Sequence, residues 1–208
     1  VPSAVDIYSE SSDLIVKSDL MLEMSGQRII PDEGNGWNFT ALRDINFYLQ
    51  YSHNCTEVNA RNRYDGVARF FRAYFYFEKV KRYGDIPWYD KALDSDDPEL
   101  YKARDSREFV MQKMLEDLDF AIANLPKTKN AYVLTRWTAL ALKSRVCLFE
   151  GTFRKYHGLE DCEKYLNACV SASETFMNES GYTLYKSGST PYRDLFASIN
   201  LQADEVIF

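Results

Sequence analysis

A run of aromatic residues at helical spacing, Gly66–Pro87 (GVARFFRAYFYFEKVKRYGDIP), constrains the fold of this chain more than any other stretch. Val67, Phe70, Phe71, Tyr74, Phe75 and Val80 recur mostly at intervals of three and four, the period of an α-helix. So many rings can bury surface on more than one side, which predicts an element packed between neighbours. Gly84 suits a positive-φ cap and Pro87 prevents resumption, so the helix is predicted to end there. Arg69 and Arg72 sit one turn apart inside it. Two cations on an otherwise buried aromatic helix need acidic partners, and one of them is expected to hold an ion pair with an adjacent helix.

The bulk properties fit a globular domain. Of 208 residues, 46% are hydrophobic and 15% aromatic, too apolar for a disordered chain. The net charge of -6 argues against generic nucleic-acid binding, which needs a basic footprint, and leaves neutral ligands open. None of the four cysteines (Cys55, Cys147, Cys162, Cys169) forms a C-x-x-C pair. Cys162 and Cys169 share one face of a predicted helix and read as core thiols, with one disulfide still open if the protein is exported. His53 and His157 are too few and too scattered for a usual zinc site, so no metal and no cofactor is expected. No stretch is long and apolar enough to span a bilayer. The chain opens on Val1 and closes on the strand-like Glu205-Val-Ile-Phe208, which reads as a piece of a longer protein, so a missing targeting segment carries no information.

Five helical segments are legible, near 37–52, 64–83, 106–125, 135–150 and 161–177. The first places Phe39, Leu42, Ile45 and Leu49 on one face. Asp105 is read as the N-cap of the third, with Glu108 completing a capping box. The stripe Val110, Met114, Leu118, Ile122, Leu125 runs to Pro126. Thr135 caps the fourth, with Gly151 just past its end, and the last puts Tyr165, Leu166, Cys169, Val170, Ser173 and Phe176 inward. Residues 1–34 read as loop with an ordered piece around Leu20–Met24. Tyr182–Tyr185 looks extended, Pro191–Phe196 a short helix and Val206–Phe208 a short strand. Short connections make neighbouring helices antiparallel. Trp137-x-x-Leu140-Ala141 matches the opening of a tetratricopeptide A helix, although Ser144 replaces the usual Tyr and the linker after it is long. An ordinary helical bundle fits that pattern as well, and Trp137 is core in either case.

No enzyme signature is present. Glu116, Asp117 and Asp119 lie on the polar side of a helix and are expected on a solvated face. Gly34-Asn-Gly36 lacks the preceding strand and following Lys of a phosphate loop. No Ser sits in a nucleophile elbow with a His partner. Arg61, Arg63, Arg69, Arg72, Lys79, Lys81 and Arg82 interleave with aromatics as nucleic-acid sites can, but the arginine stems can equally cover rings that must pack. Asn38-Phe-Thr40, Asn54-Cys-Thr56 and Asn178-Glu-Ser180 satisfy the N-glycosylation pattern, which arises easily by chance.

The segment Gly-x-Ala-Arg-Phe-x-Arg-Ala-Tyr-x-Tyr-Phe followed by Tyr-Gly-Asp-Ile-Pro resembles the SusD/RagB family of Bacteroidetes outer-membrane nutrient-binding lipoproteins. Four further segments resemble it in the right order: Trp37–Asn46, Asp105–Pro126, Arg136–Phe149 and Asp204–Phe208. The resemblance covers most of residues 37–208. It implies a mainly α-helical, SusD-like fold built on tetratricopeptide-like helix pairs, with residues 1–208 forming its N-terminal part and the C-terminal part absent. It implies a non-catalytic role: binding a glycan or other nutrient at the cell surface and passing it to a SusC-like TonB-dependent transporter. A lipid anchor outside this segment would hold the protein on the outer membrane. The competing reading is a helical-repeat adaptor for a protein or peptide.

Sugars offer C–H faces that pack on rings and hydroxyls that need amide or carboxylate partners. Candidate ligand residues are therefore Trp37 with Asn35, after the loop Asp32–Gly36, and Trp88 with Tyr89, beside Asp90. The alternative is that Trp37 staples the start of its helix while Trp88 and Tyr89 close the end of theirs.

Overall fold

The structure, a computed structural model, describes residues 26–27, 36–197 and 204–207. Asn35, Leu20–Met24 and Phe208 lie outside the described residues. The chain divides into two compact units, Val1–Phe39 and Thr40–Phe208. Among the described residues of the first, Trp37 and Phe39 meet edge to face, with ring centres 5.2 Å apart.

The second unit is helical. Its α-helices are α1 (Thr40–Tyr51), α2 (Val58–Tyr83), α3 (Arg107–Asn124), α4 (Arg136–His157), α5 (Cys162–Glu179) and α6 (Pro191–Ala197). Among the described residues the only β feature is an isolated antiparallel bridge between Ile86 and Asp105. Contacts that rise along one helix fall along the next. Gly66 faces Ala121 and Leu125, while Arg72 faces Asp117, so α2 and α3 run antiparallel. Ser144 meets Ser173 and Gly151 meets Leu166, so α4 and α5 do too. These are the helix pairs that the resemblance implies. Tyr76, Val80, Val110, Met111, Met114, Leu118 and Val146 form the buried interior. Trp137 is core as expected, packed with Leu140 and Ala172 and donating its Nε1–H to the Lys127 carbonyl at 2.6 Å.

Several boundaries differ from the sequence expectation. α2 begins at Val58 rather than near 64, because its first turns are polar and carry no apolar period. Phe71 and Tyr74 of this helix stay exposed, so its aromatic face is not wholly consumed by packing. The N-cap of α3 is Ser106, whose hydroxyl accepts from the Phe109 N–H, and not Asp105. α4 does not end before Gly151 but continues to His157. Its stop is Gly158 at φ +63°, where the Leu159 N–H reaches the Arg154 carbonyl at 2.9 Å. Gly151 serves packing instead: a Cβ there would lie 2.7 Å from the Leu166 side chain and 3.1 Å from its backbone nitrogen. Gly151→Val is therefore expected to destabilise the chain by about 1–3 kcal/mol through overpacking, read as a lower urea midpoint. An unchanged midpoint would mean that α5 yields freely.

Val170 points outward rather than inward. The strand expected at 206–208 is not formed over Val206 and Ile207; the Thr183 N–H instead reaches the Asp204 carbonyl at 2.9 Å. All four cysteines are free thiols. Cys147 is the fully buried one, and burial pushes its thiol up to about 12. Cys162 and Cys169 are half-buried rather than core.

Candidate functional site

The connector from Ile86 to Lys102 carries Trp88 and Tyr89, and α1, α2 and α3 hold it from beneath. Asn46 of α1 is buried and donates its side-chain amide to the carbonyls of Tyr89 (2.8 Å) and Lys91 (3.2 Å). Its oxygen accepts from Arg72 Nη1 at 3.2 Å. Arg72 in turn grips Asp117 with both ends of its fork, Nε to Oδ2 at 2.6 Å and Nη2 to Oδ1 at 2.7 Å. Tyr76 Oη accepts from the Tyr89 N–H at 2.6 Å and donates to the Pro87 carbonyl at 3.2 Å. The turn's polar backbone is thus satisfied by side chains, as buried backbone must be.

Arg72 is the expected structural cation, and its partner overturns one expectation. Asp117 is not on a solvated face; its side chain is 3% exposed. Burial pushes its carboxyl upward, against the pull of Arg72. Arg69 lies 3.8 Å from the same carboxylate and rests over the Phe120 ring. Glu116 and Asp119 do lie at the surface, paired with Lys113 and Lys143.

Trp88 is not an exposed ring. It is 5% exposed, stacked on Tyr76 with centres 4.2 Å apart, and the Arg72 guanidinium lies 5.2 Å from its centre. Its backbone N–H donates to Asp105 Oδ2 at 2.7 Å and its backbone carbonyl accepts from Lys102 Nζ at 2.7 Å. This is the helix-closing alternative, and a buried face cannot stack on a sugar. Tyr89, in the same turn, is half-buried, with Lys102 over its ring. Burial first, then the Asp105 and Glu99 charges, raises its phenol. Trp37 is 38% exposed and keeps an accessible face.

A second polar cluster, unforeseen in the sequence, ties α3, α4 and α5. Glu150 is completely buried and accepts from Arg107 Nη2 at 2.6 Å and from Arg154 Nε at 2.8 Å. Arg154 also donates to Glu108, which further accepts from Lys164 and from Tyr165 Oη, each at 3.2 Å. Glu108 is thus a cross-helix acceptor and not a capping-box member. Burial alone would raise its carboxyl, but Lys164 and Arg154 hold it below the ordinary carboxylate value. Among the described residues no group of three His, Cys, Asp or Glu is placed to hold a metal ion, and no helix is long and apolar enough to cross a membrane.

Residues 32–136, just over half of the chain, match a family model described as SusD-like, starch-binding and associating with the outer membrane. This chain belongs to the SusD-like family. A SusD-like protein of Formosa agariphila is 29% identical over 87 residues, covering 42% of this chain and 17% of the relative. A SusD-like protein of Bacteroides fragilis is 26% identical with a TM-score of 0.60, covering 74% of this chain and 28% of that one. A laminarin-binding SusD-like protein shares the fold at 18% identity and a TM-score of 0.63, over 80% of this chain and 34% of its own. A protein solved with a xylogluco-oligosaccharide shares it at 23% identity and a TM-score of 0.60. This SusD-like chain thus spans between 17% and 34% of the length of the first three.

Proposed function

We propose that this chain is the helical N-terminal part of a surface protein that binds a neutral oligosaccharide without breaking a bond. The observation that carries the reading is the family match over residues 32–136, whose description is starch-binding and outer-membrane association. Two proteins of the same fold support it, one described as laminarin-binding and one solved with a xylogluco-oligosaccharide. In this reading the protein sits on the outer membrane through a lipid outside the segment and hands its ligand to a SusC-like TonB-dependent transporter. Among the ligand residues proposed, Trp37 has an open face and Tyr89 a half-open one, while Trp88 supports the turn from inside. Asn35 lies two residues before Trp37 in sequence and would supply an amide for hydroxyls.

The test is calorimetry with laminari-oligosaccharides and xylogluco-oligosaccharides. Binding that is nearly independent of salt is expected, since a neutral ligand releases no counterions. Trp37→Ala is expected to lose about 1–3 kcal/mol of binding free energy, by analogy with bases stacked on aromatic rings. Absence of binding by the parent to any glycan, with capture of a peptide instead, would replace this reading by the adaptor.

A further inference from the structure

We propose that Cys147 and Cys169 are the two ends of a disulfide that joins α4 to α5 when the chain folds in the presence of a disulfide-bearing oxidant; this rests on the reading above only for export to an oxidising compartment, where such bonds persist. The structure holds all four cysteines as thiols and so shows the reduced form. Helices α4 and α5 are antiparallel, and two contacts fix their register. Ser144 Oγ lies 2.8 Å from Ser173 Oγ. Two turns further along α4, a Cβ on Gly151 would lie 2.7 Å from the Leu166 side chain. Cys147 is three residues past Ser144 and four before Gly151, while Cys169 is four before Ser173 and three past Leu166. Steps of three and four stay on one face of a helix. The two thiols therefore enter the same seam at the same level. Val170, the other residue at that level of α5, is 53% exposed and points away. Cys169 Sγ lies 3.4 Å from Ser144 Oγ, so its sulfur already reaches across to α4, one turn from Cys147.

The seam is narrow enough for the bond. Two serine hydroxyls meet directly across it, and serine, like cysteine, carries a single heavy atom beyond Cβ. The other pairings fit worse. Cys162 and Cys169 stand seven residues apart on one helix, about 10 Å along its axis, which is more than a disulfide spans. Cys55 is exposed in the segment before α2, near Tyr48 of α1. Burial pushes the Cys147 thiol up to about 12, with Lys143 opposing and Cys169 adding to the rise. The thiolate is the attacking species, so the bond forms while α4 and α5 dock rather than after Cys147 is sealed. The half-buried Cys169, as thiolate, attacks the oxidant's disulfide and releases one thiol. The Cys147 thiolate then attacks the Cys169 sulfur of that mixed disulfide and releases the second. Two protein thiols are oxidised, one disulfide of the oxidant is reduced to two thiols, and the protein loses two hydrogens.

The experiment unfolds and reduces the 208-residue chain, then refolds it with reduced and oxidised glutathione. Free thiols are blocked with iodoacetamide, and the protein is digested with trypsin without reduction. Arg61, Arg154 and Lys164 separate the four cysteines, so each falls on a peptide of its own. The expected product is one linked pair, residues 146–154 with residues 165–186, lighter by two hydrogens than the two peptides apart. The thermal midpoint of the cross-linked chain is expected about 5–10 °C above that of the reduced chain, since the bond closes a loop in the unfolded state. Cys147→Ala and Cys169→Ala are each expected to lose the linked pair, and Cys55→Ala with Cys162→Ala to keep it. Should a buried variant fail to fold, the peptides of the parent decide. A linked pair containing Cys55 or Cys162, no linked pair at all, or a cross-linked chain no more stable than the reduced one overturns the proposal. None of these outcomes touches the glycan reading, which fails instead if the parent binds no sugar.

Discussion

Arg72→Ala is expected to cost about 3–5 kcal/mol, a large share of the 5–15 kcal/mol by which a domain is usually stable. The deleted guanidinium makes two short hydrogen bonds to Asp117 and one to Asn46. Removing it leaves a carboxylate 3% exposed to water with only the more distant Arg69, at 3.8 Å. Most of the loss is the penalty of stranding that charge, not the net worth of the pair. The consequence can be checked. Replacing both partners with apolar residues, Arg72→Met with Asp117→Leu, is expected to cost less than either single alanine change, because nothing charged is then left buried. Arg72→Lys is expected to fall between, since one ammonium cannot reproduce a planar fork. Urea unfolding followed by helical circular dichroism measures all four. A loss below about 1 kcal/mol for Arg72→Ala would show that the cluster is wet and loosely held.

That cluster also shows how far the sequence could be read. The need for an acidic partner follows from two arginines on an aromatic helix. The identity of the partner does not, because Asp117 reads with Glu116 and Asp119 as part of the polar side of α3. Its register contained the signal. Asp117 is three residues after Met114 and four before Ala121, and both of these are fully buried. It therefore sits on the inner face at the edge of the stripe. A carboxylate in an apolar register is what a buried guanidinium requires.

Trp88 fits both of its sequence readings, ligand ring and helix closure, for a different reason. Its loop position suggests exposure, yet the ring that covers it, Tyr76, lies twelve residues back on α2, and stacking across that distance leaves no local mark in the sequence. Gly151 reads as a helix stop because glycine usually punctuates. In this chain it answers to Leu166 of another helix, which only the paired structure reveals. Trp137, by contrast, is legible as core, since its apolar neighbours repeat at helical spacing within its own segment. Local periodicity thus located the helices and the aromatic core. Of the polar residues that lock helices together, the sequence marks the arginines of α2, because they sit on an aromatic helix; their partner Asp117 and the Glu150 cluster lie on other helices.

Glu150 is the most exacting case, and Glu150→Ala is expected to cost about 3–5 kcal/mol. Its side chain is completely buried and holds two guanidinium groups, from Arg107 of α3 and from Arg154 one turn ahead on α4. Without it, Arg154 keeps Glu108 and the Glu160 carbonyl, while the Arg107 guanidinium keeps ring faces but no acidic partner among the described residues, Phe153 at 3.8 Å and Phe149 at 5.8 Å from their centres. The stranded charge is therefore chiefly Arg107. Arg154→Ala is expected to be milder, since Glu150 would still hold Arg107. Glu150→Gln does not offer a gentle repair: an amide nitrogen would present donors to a site already crowded with donors. The order of stability expected is parent, then Arg154→Ala, then Glu150→Gln and Glu150→Ala together at the bottom. Amide hydrogen exchange should show the damage first at the start of α5, which the Glu108–Arg154–Tyr165 contacts join to the same cluster. A chain in which Glu150→Ala is as stable as Arg154→Ala would mean that Arg107 escapes to water, and that its contacts with Glu150 do not hold α3 to α4.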